Sequence, residues 1–166
     1  KELDFAFEAG GVRFRGNAFF QQGRISMAFR HINQEIKTLE ELKLPSVLES
    51  FAKKQQGFFM VVGPTGHVNS TTLAALIEII NQTRNEHIVT IEDPIEYVYT
   101  QRQSIIDQRE LGFDTDSFPR ALQSAFRQDI DVLLIGEMRG TDTIQTAITD
   151  AETGNLVFST LHTNNA

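Results

Sequence analysis

Residues 63–72 read GPTGHVNSTT. A phosphate-cradling loop has the pattern G-x-x-x-x-G-K-[ST]: backbone N–H groups surround the phosphate oxygens, the lysine places a cation among the terminal phosphates, and the hydroxyl reaches Mg²⁺. Gly63 and Ser70 hold the outer positions, but Val68 and Asn69 stand where the pattern has glycine and lysine. Glycine admits close backbone approach, whereas valine is branched and stiff. Asn69 is neutral and shorter than lysine. A helix N-terminus with free amides and partial positive charge survives, together with the Ser70 hydroxyl. These remnants predict weak phosphate binding and little hydrolysis.

Three other apolar runs also end in polar chemistry. One ends in Glu92-Asp93-Pro94-Ile95-Glu96, another in Gly136-Glu137, a third in Ser159-Thr160-Leu161-His162-Thr163. If the runs are neighbouring strands, hydroxyls, carboxylates and an imidazole gather along one edge. That is the layout of a metal–nucleotide site, with phosphates on the loop after the first strand and carboxylates holding Mg²⁺ or positioning water.

The elements that must position these groups alternate in period. Residues 1–32 are rich in Phe, Arg and Gly; VRFRGNAFF and RISMAFRHI alternate like half-buried strands around the turn QQGR, which predicts a hairpin. Residues 33–57 form a polar connector, in which Thr38 to Glu41 has capping-box spacing and LPSVLESFAKK predicts a short helix. GFFMVVG is a continuous apolar run of the kind found in strands covered on both faces. Leu73, Leu76, Ile77 and Ile80 predict a helix over Ser70–Gln82. HIVTIED (87–93), VLLIGE (132–137) and NLVFST (155–160) read as strands. Helices are predicted over 117–129, with Ser117 as N-cap, and over 141–154, with Ile144, Ala147, Ile148 and Ala151 on one face. Such alternation predicts an α/β fold with a mainly parallel sheet, whose ligands bind beyond the carboxyl ends of its strands. Asp131 falls at the other end of its strand and is expected to be structural.

Composition narrows the classes. The 166 residues allow one domain, or one with part of another, and a hydrophobic content of 40% supports a buried core. A net charge of −7 argues against a nucleic-acid binder, which presents a basic face. The absence of cysteine excludes disulfides and thiolate metal sites. No apolar run approaches the roughly 20 residues of a membrane span. The chain opens at Lys1 and stops at Ala166 just after a strand-like segment, so a longer parent protein is expected.

TIEDPIEY (90–97), IDVLLIGEMR (130–139) and ETGNLVFSTLHTN (152–164) resemble the Asp box, Walker B and His box of the type II secretion and type IV pilus ATPase family, and within it the pilus-retraction motors of twitching motility. FRGNAF, TLEELKLP and DQRELG extend the likeness over essentially the whole chain. The resemblance implies a homo-hexameric cytoplasmic ATPase using ATP and Mg²⁺. It also implies an inner-membrane pilus or secretion platform as partner, with no nucleic acid and no membrane insertion. Residues 1–32 would end a PAS-like α+β N-terminal domain, 33–56 would be a linker with a short helix, and 57–166 would be a RecA-like P-loop motor core lacking its C-terminal end.

The family's roles carry over residue by residue. Glu96 matches the catalytic glutamate that orients or deprotonates water. Glu137 matches the residue working on Mg²⁺, with Ser70 as the second metal contact. His162 matches the histidine that senses the γ-phosphate. Arg15 and Arg30 match arginines brought to the phosphates, and Arg13 is an alternative by period two. Gly63, Pro64, Thr65, Gly66, His67, Val68, Asn69, Ser70 and Thr71 match the nucleotide loop, where the family has Ser-Gly-Lys at 67–69. Asn155 replaces the other His-box histidine and cannot become cationic. Natural divergence, deliberate inactivation and a reading-frame error all fit the altered loop. Two further functions stay open: a non-hydrolysing structural or regulatory subunit of the same machinery, and a RecA-like nucleic-acid motor, which the acidic charge disfavours.

Overall fold

The computed structural model describes residues 2–32, 34–63, 69–138 and 141–162, the side chains of Asp142 and His162 excepted. Cα packing divides the chain into two units, one of residues 1–35 with 96–98 and one of residues 36–95 with 99–166.

The first unit is a three-stranded antiparallel sheet in the order β1 (Glu2–Ala9), β2 (Val12–Gln21), β3 (Arg24–His31). The expected hairpin is β2–β3. Both of its turn residues, Gln22 and Gly23, have positive φ, as a turn that matches strand twist requires. β1 adds a strand beyond the sequence expectation, joined through Gly10-Gly11, which also take positive φ. Period two sorts the faces. Phe5, Phe7, Phe14 and Phe29 cluster on one face, with the Phe7 and Phe14 rings stacked at 5.3 Å and the Phe7 and Phe29 rings edge-on at 5.5 Å. On the other face lie Asp4, Arg13, Arg15, Asn17 and Arg30, and Asn17 Nδ2 donates to Asp4 Oδ1 at 2.9 Å.

The second unit begins with the capping pair. Glu41 Oε2 accepts from the Thr38 backbone N at 2.8 Å, and Glu41 N donates to Thr38 Oγ1 at 3.2 Å, closing a turn rather than a helix. These bonds, the backbone one foremost, hold the Glu41 carboxyl below its ordinary range. A 3-10 turn over Ser46–Leu48 leads into α1 (Glu49–Ala52). Then come β4 (Gly57–Gly63), α2 (Asn69–Thr83), β5 (His87–Glu92), β6 (Ile105–Glu110), α3 (Phe118–Ala125), β7 (Val132–Ile135), α4 (Thr141–Glu152) and β8 (Leu156–His162). The five strands form a parallel sheet in the order β4-β8-β7-β5-β6.

Two expectations are corrected. β4 lies at the sheet's edge, with β8 as its one neighbour among the described residues; Phe58 and Phe59 are packed, but Met60 and Val62 are exposed by 37% and 42%, so its coverage is only partial. The chain runs from β4 through the other strands of the sheet before β8 returns beside it, so a continuous apolar run does not guarantee full burial. On α4, Ile144 packs against the core with Ala147 and Ala151, but Ile148 is 40% exposed. The buried stripe is narrower than the apolar one because the two alanines let α4 lie close to the sheet.

The core has two sides. Val89, Ile91, Leu133, Ile135 and Val157 face α3 and α4, joining Ala121, Leu122, Ala147 and Ala151. The alternate strand residues point the other way, toward α2, whose Leu73, Leu76, Ile77 and Ile80 are almost wholly buried. Phe59 links the layers, at 4.6 Å from the Phe51 ring of α1 and 5.8 Å from Phe158 of β8.

The amino edge of the sheet carries a histidine clasp. His87 Nδ1 lies 3.0 Å from the Gln128 carbonyl and Nε2 lies 2.9 Å from Asp107 Oδ2, while the His87 backbone N donates to Asp131 Oδ2 at 2.8 Å. Asp131 is thus structural. Both ring partners accept, so the imidazolium alone satisfies both nitrogens. Burial pushes the His87 pKa down, but the bonds to Asp107 and the Gln128 carbonyl outweigh it and raise the pKa above 6.5. A raised histidine pKa contributes stability that is complete below the unfolded value and fades as pH climbs through the folded one. Urea midpoints measured from pH 5.5 to 8 therefore fall across neutrality, and His87→Gln removes that fall.

Candidate functional site

The carboxyl edge of the parallel sheet collects the residues singled out by sequence. β4 delivers Gly63, and α2 starts six positions on at Asn69. Gly63 is the register partner of His162 on β8. β7 stops at Ile135, beside Ile91 of β5 and Ser159 of β8, so Gly136 and Glu137 emerge between those two strands.

Hydrogen bonds set that emergence. Gly136 N donates to the Ile91 carbonyl at 2.8 Å, Thr160 Oγ1 donates to the Gly136 carbonyl at 2.5 Å, and Met138 N donates to the Thr160 carbonyl at 3.3 Å. Glu137 therefore sits on a backbone tied on both sides, and its side chain is half-buried. Glycine at 136 is a packing requirement, because a Cβ there would come within 3.2 Å of Glu92 Cα and 3.4 Å of the Ile91 carbonyl. Backbone atoms cannot swing aside, so Gly136→Ala should lower the unfolding free energy by about 1–2 kcal/mol. Urea unfolding of the variant beside the native chain reads that loss.

Asn69 is only 6% exposed, and its Nδ2 donates to the Gly63 carbonyl at 3.3 Å. The side chain that stands in for the lysine thus turns back to the strand it left. Ser70 and Thr71 follow in the first turn of α2, both half-buried. Pro64, Thr65, Gly66, His67 and Val68 lie outside the described residues, as do Arg139 and the His162 side chain.

Behind the edge are two buried carboxylates whose roles sequence reasoning missed. Glu92 Oε1 accepts from Thr90 Oγ1 at 2.6 Å and from Gln108 Nε2 at 3.4 Å. Glu110, its register partner on β6, accepts from Ile95 N at 3.0 Å and so ties the segment after Pro94 to the sheet. The available signal was that DQRELG, which contains Glu110, belongs to the family-like phrases.

Among the described residues no group of three or more His, Cys, Asp or Glu side chains converges to hold a metal ion. One hydroxyl and one carboxylate, Ser70 and Glu137, are a donor set suited to Mg²⁺ that arrives already bound to phosphates.

Glu96 is exposed and groups with the first unit. In that unit Arg15 and Arg30 are direct cross-strand partners on β2 and β3. Like charges set opposite one another are unfavourable unless an anion lies between them. Asn155 stands just before β8, at the opposite end of that strand from His162.

A five-stranded parallel sheet flanked by helices, with polar strand ends gathered at its carboxyl edge, is the arrangement of a RecA-like α/β fold. The chain belongs to the type II/IV secretion system protein family, whose model matches residues 18–166. It is 52% identical to the twitching motility protein of Neisseria gonorrhoeae, over 99% of this chain and 44% of that protein. It is 48% identical to the type IV pilus retraction ATPase PilT of Pseudomonas aeruginosa, over 99% of this chain and 48% of that one. The crystal structure of the pilus retraction motor PilT with bound ADP superposes with a TM-score of 0.95 at 49% identity, covering 99% of this chain and 48% of that one. The chain thus spans a little under half the length of these relatives.

Proposed function

We propose that this chain belongs to a hexameric, Mg-ATP-dependent motor subunit that drives type IV pilus retraction or a related secretion system. The observation that carries the reading is the carboxyl edge, where Gly63, Asn69, Ser70 and Glu137 share one sheet margin. The helix N-terminus and Ser70 would hold phosphate and Mg²⁺, and Glu137 would act on the metal. Glu96 would activate water, and His162 would sense the γ-phosphate. Arg15 and Arg30 would stabilise charge on the transferred phosphoryl group, which explains a cross-strand pair of like charges. The motor would work in the cytoplasm against a platform protein of the inner membrane. Among the described residues no helix is long and apolar enough to cross a membrane.

One observation favours a second reading, a non-hydrolysing subunit of the same machinery. The Asn69 amide is engaged with the Gly63 carbonyl and is neutral. Titration of the full-length protein with Mg-ATP, beside a His67→Ser, Val68→Gly, Asn69→Lys variant, separates the readings. Binding and turnover confined to the variant mean a competent site silenced by its loop. Equal binding by both means the helix N-terminus suffices. Binding by neither sinks the motor reading.

A further inference from the structure

At the amino edge of the parallel sheet, opposite the candidate nucleotide site, lies a cavity of about 470 Å³. It is lined by the α3–β7 connection, through Phe126, Asp129 and Ile130, and by α4 and its exit, through Thr149, Asp150 and Asn155 among others. The lining holds two carboxylates and, among the described residues, no lysine or arginine.

Asp150 makes this more than an acidic cluster. It is only 6% exposed, its Oδ1 accepts from Asn155 Nδ2 at 2.7 Å, and its Oδ2 is buried with no hydrogen-bond partner among the described residues. A buried carboxylate oxygen without a donor is unfavourable, because desolvation is not repaid. The nearby hydroxyls do not supply the missing proton. Thr149 Oγ1 donates to the Gln145 carbonyl at 2.9 Å, and Thr153 Oγ1 donates to the Asp150 carbonyl at 2.9 Å. With their protons engaged, both hydroxyls are left with lone pairs, so the cavity is rich in acceptors. Phe126 and Ile130 add apolar wall, and an aromatic face attracts cations.

We propose that this cavity binds a small organic cation, an alkylammonium or guanidinium group on a short aliphatic stem. Its N–H donors satisfy Asp150, its charge is balanced by Asp150 and Asp129, and its stem lies against Phe126 and Ile130. Asn155 acts as the positioning residue, holding Oδ1 at 2.7 Å and leaving Oδ2 as the oxygen without a donor.

Equilibrium dialysis of the full-length protein against n-butylammonium and N-butylguanidinium, with neutral pentanamide as control, tests this. One saturable site per chain for a cation and none for the amide is the expected result. Asp150→Asn keeps the acceptor for Asn155 but removes the charge, and should weaken binding about tenfold or more. Glu8→Gln, which removes an equal charge from the first unit, should leave it unchanged. A thermal melt of each variant confirms folding. Failure of both cations to bind saturably, or unchanged affinity in folded Asp150→Asn, overturns the proposal. The native particle mass at saturating guanidinium tells the source of the cation in the protein. An unchanged mass assigns a free amine, and dissociation assigns a basic side chain from a second copy.

Discussion

Full-length protein carrying His67→Ser, Val68→Gly and Asn69→Lys is expected to hydrolyse Mg-ATP about 10²–10³ times faster than the native protein. The figure is that for losing one preorganised charge-stabilising group from a phosphoryl or acyl transfer site. In the native chain Asn69 is buried, and its amide is spent on the Gly63 carbonyl at 3.3 Å. It delivers no charge, and it is shorter than the lysine of the family loop. Lysine brings a compact cation on a flexible stem. Glycine at 68 restores close backbone approach, which a β-branched residue resists. On either side of the loop, Gly63 stands at the strand end, Ser70 in the first turn of α2, and Glu137 on its tied backbone. Adding Glu96→Gln to the restored protein should abolish turnover while sparing ATP binding, which assigns the gain to this site. Native turnover equal to that of the restored protein would show that the lost lysine does not matter here.

The largest loss of stability is expected at Arg84, just after α2. Its Nε donates to Glu86 Oε1 at 2.8 Å. One Nη donates to the Ala52 carbonyl at 2.8 Å and the Lys54 carbonyl at 2.7 Å, and the other reaches Gln55 Oε1 at 3.3 Å. The guanidinium thereby fastens the end of α2 to the segment between α1 and β4. Its side chain is 14% exposed and that of Glu86 is 15% exposed, so removal strands a half-desolvated carboxylate and two carbonyls. Arg84→Ala should cost about 3 kcal/mol, within the range for breaking a buried, hydrogen-bonded ion pair from one side. In a thermal melt that is a fall of roughly 6–12 °C for a chain of this size. Arg84→Lys should recover less than half, since one compact ammonium with three N–H donors cannot reach four acceptors lying in different directions. A loss under 0.5 kcal/mol for Arg84→Ala would show the α1–β4 segment to be held by packing alone.

Much of this organisation was legible in the residues. The 3.6-residue rhythm of Leu73, Leu76, Ile77 and Ile80 marked α2, and the apolar runs marked β4, β5, β7 and β8. β1 went unread although LDFAFEA alternates and ends in Gly-Gly; the signal was present. β6, IIDQRE, carried almost none, since four of its six residues are charged or amide. It is a strand because β5 offers a parallel edge and Gln108 and Glu110 find buried partners there.

The sequence by itself determined the kind of protein: the alternation of strand and helix, the polar strand ends at one sheet edge, and the missing cation at position 69. Those properties are local, written in spacing and residue type. Only the tertiary structure decided that β4 stands at the edge, that Asn69 folds back on Gly63, that Gly136 has no room for a side chain, and that Arg84 and Asp150 matter at all. Each depends on atoms distant in the chain meeting within a few ångströms. Periodicity reports which face of an element is buried, but not which partner buries it.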